Sequence, residues 1–127
     1  MKYLTPQDIL VIHARIIDET GGSHGVRDTG LLISLTERPK TSFGGKEMYA
    51  GIFEKAAVYL ESLVRYHAFI DGNKRTGIVT AARFLFLNGY MLSVNNKEME
   101  KFVLQVTEGK PNLEVIALWF RKHAKKI

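Results

Sequence analysis

Apolar residues recur every three or four positions in five or six stretches of the chain, the spacing that gives a helix one buried face. The first stretch follows Thr5-Pro6, a short second runs from Asp28 to about Leu35, and a third runs from about Ile52 to Tyr66. A fourth begins near Asn73 and ends before Gly89, a fifth spans about Lys97 to Glu108, and a sixth opens after Asn112. The fourth is apolar on most sides, so we expect it to be central.

The residues at the ends of these stretches agree with helices, and few segments favour strands. Thr5 can cap the first helix, Gly21-Gly22 stops it, and Pro39 bars continuation of the second. Residues 40–51, KTSFGGKEMYAG, contain three glycines and predict a loop or small hairpin with a mobile tip. We therefore predict one all-α domain over residues 1–127, built from five to six helices with a short flap or hairpin near residues 40–50.

Composition narrows the functional classes. The chain has 46% hydrophobic residues and no cysteine, which indicates a globular protein without disulfides or thiolate metal sites. No apolar run reaches the roughly 18 residues that span a membrane, and we expect the start, MKYLTPQDIL, to be the beginning of the fold rather than a signal peptide and the protein to be cytoplasmic. The net charge is +5, but four cations near the carboxyl end suit a helix C-terminus: Arg121, Lys122, Lys125 and Lys126. Without a zinc-finger or RNA-binding motif, we expect no direct nucleic-acid binding.

The segment HAFIDGNKRT, residues 67–76, joins the third and fourth predicted helices. Lys74 and Arg75 stand at the start of the fourth helix, where the helix dipole is positive and repels cations. The free N–H groups of a first helical turn favour phosphate, and an anion there would also neutralise both side chains. Gly72 allows close approach of the backbone, and Asn73 can cap the helix or donate its amide. The pattern predicts a phosphate cradle; the alternative is two solvated basic side chains.

Two further residues of this segment suggest chemistry. Asp71 lies beside the predicted cradle, where a carboxylate can hold Mg²⁺ whose other ligands are phosphates; the alternative is an ordinary Asp-Gly turn. The neutral imidazole of His67 can take a proton from a hydroxyl near neutral pH, whereas a lone histidine at a helix end is more often a cap or a dipole partner. Phe69 and Ile70 are predicted to plug into the core and hold the loop still.

HAFIDGNKRT resembles the signature of the Fic/Doc proteins, and GGSHGVRDTGLL, SFGGKEMY and LFLNGY resemble its Doc ("death on curing") branch. The resemblance implies an all-α fold with the motif loop between two central helices, His67 as general base and Asp71 as the Mg²⁺ ligand. It further implies nucleotide-phosphate binding by Gly72, Asn73, Lys74, Arg75 and Arg65, and a target-docking flap formed by Phe43, Gly44, Gly45 and Lys46. A plain surface loop is the alternative for the flap.

Three positions depart from the pattern of adenylylating Fic proteins. Ala68 replaces a common proline, with little expected consequence, whereas Lys74 replaces a glycine and Ile78 replaces a second phosphate-binding arginine. The resemblance therefore implies a Doc-type kinase that transfers the γ-phosphoryl of ATP, with Mg²⁺, to a threonine of translation elongation factor Tu and so blocks translation. The alternatives are a protein adenylyltransferase and an inactive binding module.

Control of such a toxin is expected in trans. Many Fic proteins carry an inhibitory helix with serine or threonine, three residues, glutamate, then glycine or asparagine. Glu108-Gly109 is the nearest fragment of that string, but Leu104 occupies the serine or threonine position. The resemblance to the Doc branch implies instead a separate Phd-like antitoxin whose tail folds onto the toxin.

Overall fold

A computed structural model describes all residues from 1 to 127, and it contains six α-helices. The helices are α1 (Pro6–Thr20), α2 (Thr29–Glu37), α3 (Ile52–Tyr66), α4 (Asn73–Leu87), α5 (Asn96–Gly109) and α6 (Leu113–His123). A 3₁₀ turn at Arg38–Lys40 follows α2, and four short strands complete the fold: β1 (Ser42–Phe43), β2 (Lys46–Glu47), β3 (Tyr90–Leu92) and β4 (Ala124–Lys126). The predicted all-α fold class is confirmed. None of the helices is both long and apolar enough to cross a membrane.

Side-chain caps begin four of the six helices. At α1, Thr5 accepts from the backbone N–H of Asp8 while the Asp8 carboxylate accepts from that of Thr5, the reciprocal capping box. Asp28, Asn95 and Asn112 cap α2, α5 and α6, each by accepting one backbone N–H of the first turn. The two helices without a side-chain cap are α3 and α4, each preceded by glycine.

The helices α3 and α4 form the centre of the domain. Gly77 of α4 lies so close to α3 that a Cβ atom there would approach Leu60 Cδ1 and Val64 Cγ2 to 3.2 Å each. The buried core contains side chains from all six helices, and α3 is buried from Lys55 to Val64. Because α3 and α4 are both packed in the core, the two ends of the loop that connects them are held in place.

The predicted hairpin is present as β1 and β2, which pair antiparallel around Gly44 and Gly45. All four strand residues are exposed, and the Phe43 side chain is 83% exposed. The hairpin is anchored at its base by Lys55, which is fully buried in α3 and donates to the Pro39 carbonyl at 3.1 Å and to the Glu47 carboxylate at 2.9 Å. This buried cation holds the flap to the central helix.

A second ribbon was not predicted from the sequence. Strand β3 follows α4 and pairs antiparallel with β4, which places Lys125 and Lys126 in a strand rather than at a helix end. Only Arg121 and Lys122 of the four basic residues lie in the last turn of α6. The backbone N–H of Ile127 donates to the Gly89 carbonyl, and Lys2 exchanges two 2.8 Å hydrogen bonds with Asn88. Both ends of the chain therefore meet at the carboxyl end of α4.

Candidate active site

The connection from α3 to α4 has a left-handed residue at each end. His67 ends α3 with φ 53° and ψ 59°, and Gly72 precedes α4 with φ 75° and ψ 17°. A Cβ atom on Gly72 would also lie 2.9 Å from Ile17 Cδ1, so this position needs glycine for its conformation and for its contact with α1. The loop thus turns sharply at both ends and returns against α1.

Asn73 fixes the loop from within. Its side-chain oxygen accepts from the Phe69 N–H, and its amide donates to the Phe69 carbonyl, each at 3.0 Å. The residue is buried, and the helix cap is Gly72, so the Asn73 amide is not the free cap or phosphate donor that the sequence suggested. Its backbone N–H still belongs to the first turn of α4.

Phe69 is buried as predicted, but the prediction that Ile70 enters the core is wrong. Residues 69 and 70 run alongside the segment before α2, with a bridge between Val26 and Phe69, and Ile70 donates to the Gly25 carbonyl at 3.1 Å. Successive side chains of an extended segment point to opposite sides, so Phe69 points inward and Ile70 outward. Ile70 is 59% exposed.

The first turn of α4 has unsatisfied donors and positive charge. No side chain caps it, so the backbone N–H groups that a cap would engage lack that acceptor. Lys74 is exposed, and exposed Arg75 donates one hydrogen bond, to the Thr20 hydroxyl at 2.8 Å. The positive end of the α4 dipole adds to the positive charges of Lys74 and Arg75. This end of the helix is therefore suited to bind an anion with several acceptor oxygens, such as a phosphate group.

Asp71 lies beside this turn with an ionised carboxylate. Its Oδ2 accepts from the Ser23 N–H at 3.1 Å, and its Oδ1 accepts from the Gly72 N–H at 2.8 Å. These two N–H groups, and more weakly Arg75, hold the pKa of Asp71 below its ordinary value of 3.8. No group of three potential metal-ligating side chains is present. The donor set fits a Mg²⁺ ion held by one carboxylate and otherwise by phosphate and water, which is how proteins bind Mg²⁺ beside nucleotides.

A buried histidine of α1 supports the motif loop, and the sequence analysis did not predict this role. His13 in α1 stacks on the Phe69 ring at 3.8 Å between centroids and 7° between planes. Its Nε2 donates to the Asp71 carbonyl at 2.8 Å, and because a carbonyl only accepts, Nε2 carries the proton. The helical spacing of α1 placed position 13 close to apolar Ile9, Ile12 and Ile16, and a histidine among them was the available signal.

The glycine-rich segment between α1 and α2 holds the other side of the loop, and its role was also missed. Ser23 binds Asp71, as described above, and Gly25 binds Ile70. Arg27 donates to the carbonyls of Tyr66 and His67, while the His67 side chain remains exposed. The segment therefore lies along the whole motif loop. The sequence marks it only as turn-rich, because such turns have no periodicity that would predict a partner.

Arg65 is not brought to the phosphate cradle. Its guanidinium bonds to the Glu61 carboxylate at 2.7 Å and to the Pro111 carbonyl at 2.8 Å. Glu61 is nearly buried and also pairs with Arg38 at 2.7 Å, so one carboxylate holds two arginines. The side chain of Arg65 thus joins α3 to the connection between α5 and α6, and it does not face the predicted phosphate cradle.

The flap residues Phe43 to Lys46 are exposed and lie apart from the motif loop in the chain, but a groove begins at the base of the flap. The groove has a volume of about 510 Å³ and reaches Tyr66, the residue before His67. Its walls are formed by Leu31, Ile33, Ser34, Leu35, Glu37, Arg38, Thr41, Ser62 and Tyr66. The groove therefore passes from the hairpin to the end of α3.

The family model described as "Fic/DOC family" matches residues 3–85, about two thirds of the chain and the whole of the loop with its supports from α1 and residues 22–28. The chain belongs to the Fic/DOC family. The family predicted from HAFIDGNKRT is confirmed.

Two relatives extend this result. The chain is 39% identical over 94 residues to a protein named "Toxin Doc" from Mycolicibacterium smegmatis, covering 74% of this chain and 70% of that protein. It is 27% identical over 122 residues to "Protein kinase doc" of Escherichia phage P1, covering 96% of this chain and 95% of that protein. Both are Doc proteins by name, which confirms the predicted branch of the Fic/DOC family.

Proposed function

We propose that this Fic/DOC protein is the toxin of a toxin–antitoxin pair and transfers the γ-phosphoryl group of ATP to a hydroxyl of a target protein. The observation that carries the proposal is the uncapped first turn of α4, with Lys74 and Arg75 on it and His67 and Asp71 in the loop before it. The names of the two relatives, a toxin and a protein kinase, support the same activity.

The phosphates would be bound by the backbone N–H groups of residues 73–75, by Lys74 and by Arg75. Lys74 and Arg75 neutralise the part of the phosphate charge that the backbone N–H groups alone would leave unbalanced. Gly72 shapes the turn, and Asn73 acts through its backbone, because its side chain is used by Phe69. Arg65 would have to leave Glu61 and Pro111 to reach a phosphate, so its predicted contribution is not part of the proposed site.

Asp71 would hold Mg²⁺ with the free lone pairs of its carboxylate. A Mg²⁺ ion held there would supply positive charge that offsets the negative charge developing on the phosphates during transfer. Ser23 and Gly72 keep the carboxylate ionised and oriented, since each N–H binds one of its oxygens.

His67 would act as the general base. Its imidazole takes the proton of the target hydroxyl as the hydroxyl oxygen bonds to the γ-phosphorus, and the bond from that phosphorus to the β–γ bridging oxygen breaks. The products are a phosphorylated side chain and ADP, and the proton remains on His67 until solvent removes it. The exposure of His67 is consistent with access by a protein substrate.

Transfer of the γ-phosphoryl is preferred to transfer of AMP for two reasons. Lys74 adds a cation to the first turn, and Ile78, which stands where adenylylating relatives have arginine, is only 7% exposed and belongs to the hydrophobic core. The chain therefore offers no second guanidinium at that position. Protein adenylylation is the second candidate, because the cradle itself would bind either orientation of a nucleotide.

The target is proposed to be a threonine of elongation factor Tu, which would block translation in the cytoplasm. The exposed hairpin supports docking of an extended target segment, because each of its two strands has one unpaired edge to which such a segment can add as a further strand. The groove from the flap to Tyr66 would guide that segment toward His67. Inhibition is proposed to come from a Phd-like antitoxin, since Leu104 precludes the inhibitory string of many Fic proteins.

The test is incubation of the purified chain with Mg²⁺, elongation factor Tu and ATP labelled at either the α- or the γ-phosphate. We expect label from the γ position on the factor and none from the α position, and no label with His67→Ala although that variant still binds ATP. Label from the α position alone would establish the adenylyltransferase instead. ATP binding with no transfer to this factor or to any cell-lysate protein would indicate a binding module.

A further inference from the structure

The end of helix α3 has an unusual conformation for a functional residue. His67 occupies the left-handed region, which glycine and asparagine adopt readily at helix ends but other side chains resist. Its imidazole is exposed and makes no hydrogen bond to the rest of the chain. The backbone of His67 therefore sets the direction of the Cα–Cβ bond and the rotamers open to the ring, so whatever holds that backbone also limits where the imidazole can point.

Arg27 binds three successive carbonyls at this point. Its Nε donates to the His67 carbonyl at 2.6 Å, its Nη2 donates to the Tyr66 carbonyl at 2.9 Å, and its backbone N–H donates to the Ala68 carbonyl at 2.8 Å. The first two carbonyls lie at the helix end, where acceptors have no partner within the helix. A cation also suits the negative end of the α3 dipole.

We propose that Arg27 is a positioning residue for the reaction: its guanidinium holds His67 in the left-handed conformation and so orients the imidazole as base. This inference rests on the proposed function, in which His67 takes the proton of the target hydroxyl. The planar fork of arginine matches the task, because two donors at a fixed separation bind two neighbouring carbonyls at once. Lysine offers a single ammonium and fixes only one of them.

A purely structural role for Arg27 predicts different behaviour. If the residue only stabilised the domain, its loss would lower the unfolding temperature and reduce activity equally in every background. If it positions His67, its loss affects only the step that uses the imidazole. The exposure of Arg27 means that its replacement leaves no cavity, so the variants should fold.

The kinetic test uses Arg27→Gln, with Arg15→Gln as the matched control, because Arg15 is also exposed and makes no hydrogen bond to the loop. We expect Arg27→Gln to lower kcat for phosphoryl transfer by about 10–100-fold, the usual effect of a small misplacement, with KM for ATP unchanged. Arg15→Gln should retain wild-type values. In a His67→Ala background, Arg27→Gln should cause no further loss of kcat, since the group it positions is already gone.

A second measurement is independent of activity. The ¹³Cα chemical shift of His67 reports its backbone conformation, and it should move toward the unstructured value in Arg27→Gln but not in Arg15→Gln. An unchanged shift, or additive losses in the double variant, would overturn the proposal. A changed shift with normal kcat would also overturn it, because the conformation would not matter for transfer. If the wild-type chain transfers nothing, the proposed function fails, and the shift alone decides whether Arg27 holds His67.

Discussion

Replacing Gly22 by alanine would displace the carboxylate of Asp71. A Cβ atom built on Gly22 lies 2.5 Å from Asp71 Oδ2, whereas ordinary contact begins near 3.4 Å. The carboxylate must therefore retreat by roughly 0.9 Å, the difference between those two distances. That movement would break the 3.1 Å hydrogen bond from Ser23, the largest of the causes that lower the pKa of Asp71.

Gly21→Ala provides the matched control for this change. Gly21 and Gly22 both have positive φ, 85° and 113°, so alanine strains the backbone at either position, by about 1–3 kcal/mol. A Cβ atom on Gly21 meets nothing within 4 Å, whereas one on Gly22 also lies 3.3 Å from Ile17 Cδ1. The difference between the two variants therefore reports the contacts of the added methyl group with Asp71 and, more weakly, with Ile17.

The assay is the Mg²⁺ dependence of phosphoryl transfer at saturating ATP. Because an outer hydrogen-bond partner of a metal ligand typically contributes 10–100-fold to metal affinity or activity, we expect Gly22→Ala to need about 10–100-fold more Mg²⁺ for half-maximal rate. Gly21→Ala should keep the wild-type requirement, although its unfolding temperature falls. Equal Mg²⁺ requirements in the two variants would refute the role given to Asp71 and Ser23.

Four further predictions concern the base, the buried histidine, a tyrosine and the antitoxin. His67→Ala should lower kcat by about 10²–10⁴-fold with the fold intact; a normal kcat would contradict its role as base. His13→Phe keeps a ring against Phe69 but leaves the Asp71 carbonyl without its donor, so urea unfolding should show a loss of about 1–3 kcal/mol, and no loss would mean that water replaces the donor. Burial raises the pKa of Tyr59 to about 12. The unfolded chain thus loses the phenol proton first, and stability should fall as the pH rises from about 10 toward 12 in the wild type. Tyr59→Phe should lack this component of the fall, and an identical fall in that variant would exclude the mechanism. Expression of the chain without its antitoxin should stop growth and expression of His67→Ala should not; harmless expression of the folded wild type in a host without candidate antitoxins would contradict toxicity.

The helices could be predicted because their signals are local. The third predicted helix, Ile52 to Tyr66, has the observed bounds of α3, and the Thr5 cap with Asp8 marks the start of α1. Each signal lies within one or two turns of the element that it predicts. The ribbon of β3 and β4 gave no such signal, because Ala124–Lys126 is short, polar and held mainly by backbone pairing.

The candidate site could be proposed from residue types that lie close together in the sequence, but the contacts of those residues could not be predicted. From the sequence alone, Lys74 and Arg75 indicated an anion site at the start of the fourth helix, because two cations are unfavourable at the positive end of a helix dipole. Ser23, which binds the Asp71 carboxylate, is 48 residues away in the chain and donates its backbone N–H. The contacts of Arg65 could not be predicted for a related reason: besides Glu61, its guanidinium binds the Pro111 carbonyl, which is 46 residues away in the chain.

The meeting of both chain ends at the carboxyl end of α4 has a practical consequence. The 15 residues of α4 separate that point from the phosphate cradle by about 22 Å, at about 1.5 Å per residue. A surface tether or fluorophore attached beside Lys2 or Ile127 would therefore lie beyond contact with a bound nucleotide. The same proximity permits circular permutation, in which a short linker joins these ends and new ends are opened at the exposed tip formed by Gly44 and Gly45.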